Sequence, residues 1–519
     1  MDAGSNGLGP MEPVYAAVDR DPTAADRKRT TLLQKTWAYF KEYCVNTSLH
    51  GLKYVGEDQC PLAQRVFWLL TFLVSLIVCC VFIWNAKLKW DTTPVIVTLA
   101  DSSYPVGKVP FPAVTICSET KLQRSFFDFT QAYQTSTENR TEEQTQYLGY
   151  ASLICDGNKM VGANTTDEDA IEFLLKAAPK LAQTILNCSW HSEDNCSCLF
   201  DTVLTDEGIC FTFNSIAYDD FFTDKAHQNN TLRHSRVSKV RGWSLDEGYT
   251  GRAWEAVYPR RTVSAGAAAG LTIVTSTDDQ NIDANCRWPV QGFKMLLHSP
   301  GDFPNMKTQF FRIPVDRDVV VSVQPRVMMT SEALHSYSPD GRRCYFSSER
   351  SLYFFRYYSE ENCMTECLAN FTVQRCGCAA YYMPRKKNVP ICGGARMRCI
   401  KIGEDDFYGS EGNLAACHCL PGCMEIKYTA EISHSQILWH KYFEQKPEEA
   451  AQFENKTHGK TVIYFKNSHF IPSHRSELYG FTTFMANCGG LLGLFLGFSV
   501  LSLIEFIYFL TARALCYFS

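Results

Sequence analysis

The chain has 519 residues, 45% hydrophobic and 20% charged, with a formal net charge of −5. That balance lacks the basic excess a nucleic-acid partner needs. No G-x-S-x-G elbow, H-E-x-x-H helix or phosphate-cradling glycine loop occurs in it, so no catalytic constellation organises the sequence, and neither a cofactor nor a metal site is implied.

Residues 1–26 carry Gly, Pro and Asp without periodicity, which predicts disorder. LLQKTWAYFKEYC, 32–44, has the spacing of a short amphipathic helix. It leads into CVNTSLHGLKYV, 44–55, where the His50-Gly51 pair reads by itself as a solvated turn. The first apolar run, VFWLLTFLVSLIVCCVFIW at 66–84, is long enough to span a bilayer as a helix over 65–86. No cleavable signal peptide is expected ahead of it. Lys28, Arg29, Lys35, Lys41, Lys53 and Arg65 precede it, and basic flanks stay on the cytosolic side, which makes 1–64 cytosolic.

Residues 87–476 form one large hydrophilic loop holding most of the 23 cysteines. It also holds N-x-[ST] sequons at Asn139, Asn164, Asn187, Asn195, Asn229, Asn370 and Asn455. Cysteine at that density in an exported region reads as disulfides, so the loop is expected outside the cell and both termini inside. The Asn46 sequon then lies on the cytosolic side and should stay unmodified. VPFPAVTIC, 109–117, reads as a strand started by proline and ended by cysteine. GWSLDEGY, 242–249, and GFKMLLHSPGDFP, 292–304, read as further strands of one core sheet, the second followed by a Pro-Gly-Asp turn. MEIKYTAEIS and VIYFKN, 462–467, bring the chain back to that sheet. The polar stretch 127–240 is expected to form an outer lobe.

From Cys344 the cysteines run Cys363, Cys367, Cys376, Cys378, Cys392, Cys399, Cys417, Cys419 and Cys423. The spacing descends through x3 and C-x-C, then mirrors itself back. The mirror order suggests nested pairs, although a sequence does not choose among the pairings. Cys417-His418-Cys419 is a poor zinc site at that spacing in an oxidising compartment.

The second apolar run has no charged residue from Leu478 to Ile504 and is expected as a membrane helix within 477–512, followed by a short cytosolic tail, 513–519. Gly489, Gly493 and Gly497 recur every four residues, Ser499 and Ser502 follow, and Glu505 sets a carboxylate near the inner end. A small-residue face of this kind serves either as a helix-packing seam or as a pore lining. An intramembrane acid marks an ion path by default.

GLLGLFLGFSVLSLIE resembles the second membrane helix of the degenerin/epithelial sodium channel family. SLHG before the first span, VPFPAVTIC, and the mirrored cysteines resemble that family's motifs in the same order. WSLDEGY and LLHSPGDFP point to the arthropod pickpocket branch. The resemblance covers nearly all of the chain from Cys44 to Glu505. It implies an α+β membrane protein: two transmembrane helices, a large disulfide-rich extracellular domain with a palm-type β-sheet and a helical thumb at about 344–423, assembled as a trimeric channel.

Residue by residue, the resemblance implies a filter at Gly497, Phe498 and Ser499, whose carbonyls and hydroxyl replace part of a cation's hydration shell. Gly493 and Glu505 would line the same pore. It implies gating roles for His50 and Gly51, on a re-entrant turn beneath the filter, and for Ala486, whose small side chain suits tightly converging helices. It implies the thumb ladder Cys344–Cys423, Cys363–Cys419, Cys367–Cys417, Cys376–Cys399 and Cys378–Cys392. Cys117 with Cys210 would tie two palm strands, which leaves Cys155, Cys188, Cys196, Cys198 and Cys286 open. Glu404, Asp405 and Asp406 match the stretch where acid-sensing relatives carry carboxylates, and read equally as a solvated helix face. The family's aromatic before the first thumb cysteine is missing, since the segment reads SPDGRRC, 338–344.

The function implied is a plasma-membrane, sodium-selective, amiloride-sensitive channel subunit passing Na+. Its partners would be related subunits in a homo- or heterotrimer, the lipid bilayer and an extracellular peptide or small ligand. Proton, ligand, mechanical and constitutive gating stay open. Two other classes share the topology. A scavenger-type lipid receptor needs only anchoring helices, and an ATP-gated trimeric channel needs clustered lysines, of which the loop has only Lys386-Lys387.

Overall fold

The computed structural model describes residues 32–92, 95–155, 161–191, 193–194, 196–227, 240, 242–250, 257–446, 456–478 and 480–518. The expected disorder of 1–26 and the sequons at Asn195, Asn229 and Asn455 lie outside these residues. The chain divides into two compact units, one of residues 1–93 and 479–519, the other of 94–478.

In the first unit, helices cover Leu32–Asn46, Leu52–Gly56 and Leu62–Thr92. The first span is longer than its apolar run because LKWDT continues the helix past Lys87. Among the described residues, Leu62–Thr92 and Val500–Tyr517 are the helices long and apolar enough to cross a membrane. The expectation of one continuous second membrane helix is corrected. The run forms two half-helices, called outer and inner after the orientation expected from the sequence: Phe481–Leu496, and Val500–Tyr508 continued by a π-helical turn at Phe509–Arg513. Trp90 stacks on Phe484 at 4.6 Å and Phe82 on Phe495 at 5.8 Å, which joins the first span to the outer half-helix.

The second unit is built on two sheets. Among the described residues, eight strands form the larger, in the order Val95–Leu99, Ser473–Glu477, Arg317–Thr330, Lys456–Phe465, Leu271–Asp278, Ile185–Trp190 and Glu193–Asp194, with Glu425–Gln436 also pairing on Arg317–Thr330. Arg317–Thr330 runs parallel to Lys456–Phe465 and to Ser473–Glu477. Its alternation buries Val319, Val321, Val323 and Val327 on one face. The second sheet orders Phe311–Ile313, Phe293–His298, Ala113–Ser118, Gly208–Phe213 and Phe200–Thr205. Ala113–Ser118 and Phe293–His298 are buried on both faces, so their polar members Thr115, Lys294 and His298 are buried with the apolar ones. Phe111 fills the core between the sheets, 4.8 Å from Trp190 and 5.4 Å from Phe465.

Three expectations change here. The one core sheet is two: VPFPAVTIC and GFKMLLHSPGDFP give strands to the smaller, MEIKYTAEIS and VIYFKN to the larger. GWSLDEGY joins neither sheet, because Trp243–Ser244 and Gly248–Tyr249 close into a ladder of their own. The stretch 127–240 is also not wholly an outer lobe. Its helices Phe129–Gln134, Glu142–Ala151 and Glu168–Ala177 share a separate core, but its strands Ile185–Trp190, Phe200–Thr205 and Gly208–Phe213 enter the two sheets.

Helices Glu360–Cys376 and Met397–Tyr408 make the thumb. Ser359 caps the first by accepting from the Asn362 N–H, and Gly377 ends it at φ 74°. The structure pairs Cys344 with Cys423, Cys363 with Cys419, Cys367 with Cys417, Cys376 with Cys399 and Cys378 with Cys392. Cys117 pairs with Cys210, Cys155 with Cys286 and Cys188 with Cys196. Asn139, Asn164, Asn187 and Asn370 are exposed.

Candidate functional site: the interrupted second membrane helix

Gly497 ends the outer half-helix. It adopts φ 66°, a left-handed conformation that glycine tolerates and bulkier residues resist. Its N–H bonds the Gly493 carbonyl at 3.0 Å, and the Phe498 N–H reaches the Leu492 carbonyl at 3.2 Å. Ser499 is extended, at φ −120° and ψ 174°, and starts the inner half-helix. The cap is reciprocal: Ser499 Oγ accepts from the Ser502 N–H at 3.2 Å, and Ser502 Oγ accepts from the Ser499 N–H at 3.0 Å. Residues 497–499 therefore put non-helical backbone inside an apolar run. Such backbone survives at membrane depth only where protein buries it or where it lines a water-filled path.

The pre-span segment packs on this interruption. The His50 N–H donates to the Leu496 carbonyl at 3.1 Å. The His50 ring lies on Gly497, where an added Cβ would fall 2.7 Å from Nδ1. Gly51, at φ 87°, turns the chain into helix Leu52–Gly56. Ser48 reaches the inner half-helix, its Oγ lying 2.7 Å from that of Ser502. Glu505 Oε2 accepts the Ser48 N–H at 3.1 Å and hydroxyl at 2.9 Å. The glutamate thus fastens the turn to the inner half-helix.

A second clasp lies further along. Tyr39 donates its hydroxyl to the Phe509 carbonyl at 2.5 Å, and Arg513 pairs with Glu42 at 2.5 Å. Sequence reasoning missed Ser48, Tyr39 and this ion pair. The available signal was that the helix 32–46 is amphipathic with aromatics on its apolar side. Ala486 is exposed in the single chain, beside an open groove of about 360 Å³ that it shares with Ala86, Phe484 and Leu494.

The acidic stretch of the thumb lies elsewhere, in the second unit, and is not uniformly solvated. Glu404 accepts from Lys307 at 2.6 Å and from the Tyr382 hydroxyl at 2.6 Å. Asp406 pairs with Arg375 at 2.6 Å, and Asp405 is exposed. In place of the missing aromatic, Arg342 is buried at the thumb's base, with its guanidinium over the Phe346 ring at 4.7 Å and paired to Glu349.

A second span that opens into a glycine–serine break, underpinned by the His50-Gly51 turn, fits the class of ion-channel subunits. The profile of the family described as amiloride-sensitive sodium channel matches residues 43–509. Pickpocket protein 28 of Drosophila melanogaster is 30% identical over 492 residues, 91% of this chain and 78% of the fly protein. The bile acid-sensitive ion channel of Homo sapiens is 23% identical, over 97% of this chain and 90% of its own. Acid-sensing ion channel 1 of Gallus gallus is 22% identical, over 89% and 82%. The chain belongs to the amiloride-sensitive sodium channel family, with the fly relative supporting its pickpocket branch. Membership sets aside the scavenger-type receptor and the ATP-gated channel.

Proposed function

We propose that the protein is a subunit of a trimeric, sodium-preferring, amiloride-blocked channel of the plasma membrane, with both termini cytosolic. Na+ passes the Gly497-Phe498-Ser499 break, where carbonyls and the Ser499 hydroxyl replace part of its hydration shell. The observation that carries this reading is the break itself, non-helical backbone amid apolar residues with the His50-Gly51 turn bonded beneath it. Assembly with related subunits follows from the family, whose named members here are ion channels. An extracellular stimulus acting on the disulfide-braced thumb opens the pore.

The test is expression alone and with related subunits, reading whole-cell current under sodium-for-potassium substitution and amiloride. A sodium-preferring, blockable current supports the reading. No current from well-delivered protein, even with Ala486 enlarged, contradicts it.

A further inference from the structure

The second unit contains a cleft of about 370 Å³ between the thumb helix Met397–Tyr408 and the hairpin turn Asp206-Glu207. The two carboxylates of that turn are in opposite situations. Glu207 is saturated by Lys121 at 2.7 Å, Lys294 at 2.6 Å and Arg287. Burial alone would push its carboxyl up, but Lys121 and Arg287 hold it down at about 2.

Asp206 has no such cage. Its Oδ1 accepts the Met306 N–H at 3.0 Å, while Oδ2 is fully buried and has no partner. Burial pushes its carboxyl up to about 6, against the pull of Lys307. A buried carboxylate oxygen left unpaired is expensive, and native structures rarely carry one without a missing donor. Lys307 is already committed to Glu404 across the cleft.

The opposite wall carries free charge of the other sign. Arg398 and Lys401 stand one turn apart on the thumb helix and both line the cleft. Both are exposed, and neither has an ion pair among the described residues. The cleft therefore sets a buried acceptor without a partner at its floor and two exposed cations without an ion pair at its rim. Tyr381 and Tyr382 supply aromatic wall, with the Tyr381 hydroxyl donating to the Asp206 carbonyl at 3.0 Å.

We infer that this cleft is a binding site for a small zwitterion of dipeptide size, its ammonium on Asp206 Oδ2 and its carboxylate on Arg398 and Lys401. The polarity follows from the placement: a donor is missing at the buried end, an anion at the open end. A lone anion would leave the Asp206 oxygen unpaired, and a lone cation would leave the thumb cations without a partner. The ligand bridges the Asp206-Glu207 hairpin to the thumb, so binding ties the thumb to the sheets through charge-assisted bonds. The inference deepens the extracellular-stimulus reading above and names a chemical class for that stimulus.

The experiment is calorimetric titration of the full chain in detergent with glycyl-leucine, beside its N-acetylated and C-amidated forms. The free dipeptide should bind, and either blocking group should weaken binding roughly 10- to 100-fold, the equivalent of one lost charge-assisted bond. Asp206→Asn should weaken the free dipeptide by the same factor while keeping the Met306 bond. Arg398→Ala with Lys401→Ala, both on the exposed rim, should abolish the distinction between free and amidated forms. Absence of binding in folded protein overturns the site. So does binding indifferent to the blocking groups and to Asp206→Asn, which would mean that ordered water satisfies the carboxylate. Titration needs no current, so its failure leaves the channel reading to its own test.

Discussion

The carboxylate of Glu505 accepts both the backbone N–H and the hydroxyl of Ser48, at 3.1 and 2.9 Å, from 457 positions away in the chain. An intramembrane acid is tolerable when it faces protein donors or water, and here it has protein donors. Glu505 therefore does two things in the proposed pore. It places negative charge below the break, and it fixes the turn that holds His50 against Gly497.

Glu505→Gln keeps the volume and one acceptor but removes the charge. Conductance or sodium preference should fall with near-normal surface delivery. Ser48→Ala removes one of the two bonds and should produce a weaker defect. Because the two residues touch, the double variant should be non-additive. Single-channel recording with surface labelling reads all three, and unchanged permeation in well-expressed Glu505→Gln would return the residue to a passive role.

Gly497→Ala should be severe for two separate reasons. The φ of 66° disfavours any Cβ, at about 1–2 kcal/mol, and the new methyl would lie 2.7 Å from the His50 ring. His50→Ala in the same chain should recover part of the lost current by relieving the clash, leaving only the backbone strain. Normal current from Gly497→Ala alone would show that the break does not constrain the pore.

Ala486→Val, and more strongly Ala486→Phe, should raise standing inward current. Ala486 is exposed in the single chain, so in the proposed trimer the close approach there comes from a neighbouring subunit. Overpacking such a contact costs about 1–3 kcal/mol, which shifts a closed-to-open equilibrium roughly 5- to 150-fold. Current and surface protein measured in the same cells decide the matter. Less surface protein without more current per channel would mean that Ala486 only packs.

Asp302 gives a pH signature to the thumb's base. Burial pushes its carboxyl up to about 7, with Glu361 and Glu425 adding to the rise and Ser359 and Lys427 opposing it. The native state keeps a proton that the unfolded chain releases near 3.8. This group's contribution to stability therefore falls as pH rises from about 4 to about 7, at up to ~1.4 kcal/mol per pH unit, and is flat above that. Asp302→Asn should gain stability over the wild type progressively across that window. Denaturation of the full chain at pH 5 and pH 8 reads the difference, and equal gaps at both would refute it.

Much of this was legible in the sequence, for physical reasons. The spans show in charge-free length, and the mirrored cysteines suggest nesting, with the particular thumb pairs implied by the family resemblance. The break in the second span was not legible: the family resemblance marked 497–499 as the filter, but within a single membrane helix. Gly497, Phe498 and Ser499 are all compatible with an apolar helix, and hydropathy does not register a left-handed φ. The Ser499-x-x-Ser502 cap was visible but is a weak signal in isolation. Ser48 with Glu505, and Asp206 with the thumb cations, are brought together by tertiary structure alone. GWSLDEGY failed for the opposite reason, since strand-like residues also suit a short ladder that closes on itself.

The central claim is that ions pass residues 497–499. The most direct measurement is block of a Ser499→Cys channel by external cadmium, beside Leu501→Cys, which is exposed on the inner half-helix. Cadmium should silence the Ser499→Cys current and spare both Leu501→Cys and the wild type. Full current through Ser499→Cys in saturating cadmium, or equal block at Leu501→Cys, would contradict a pore at the break.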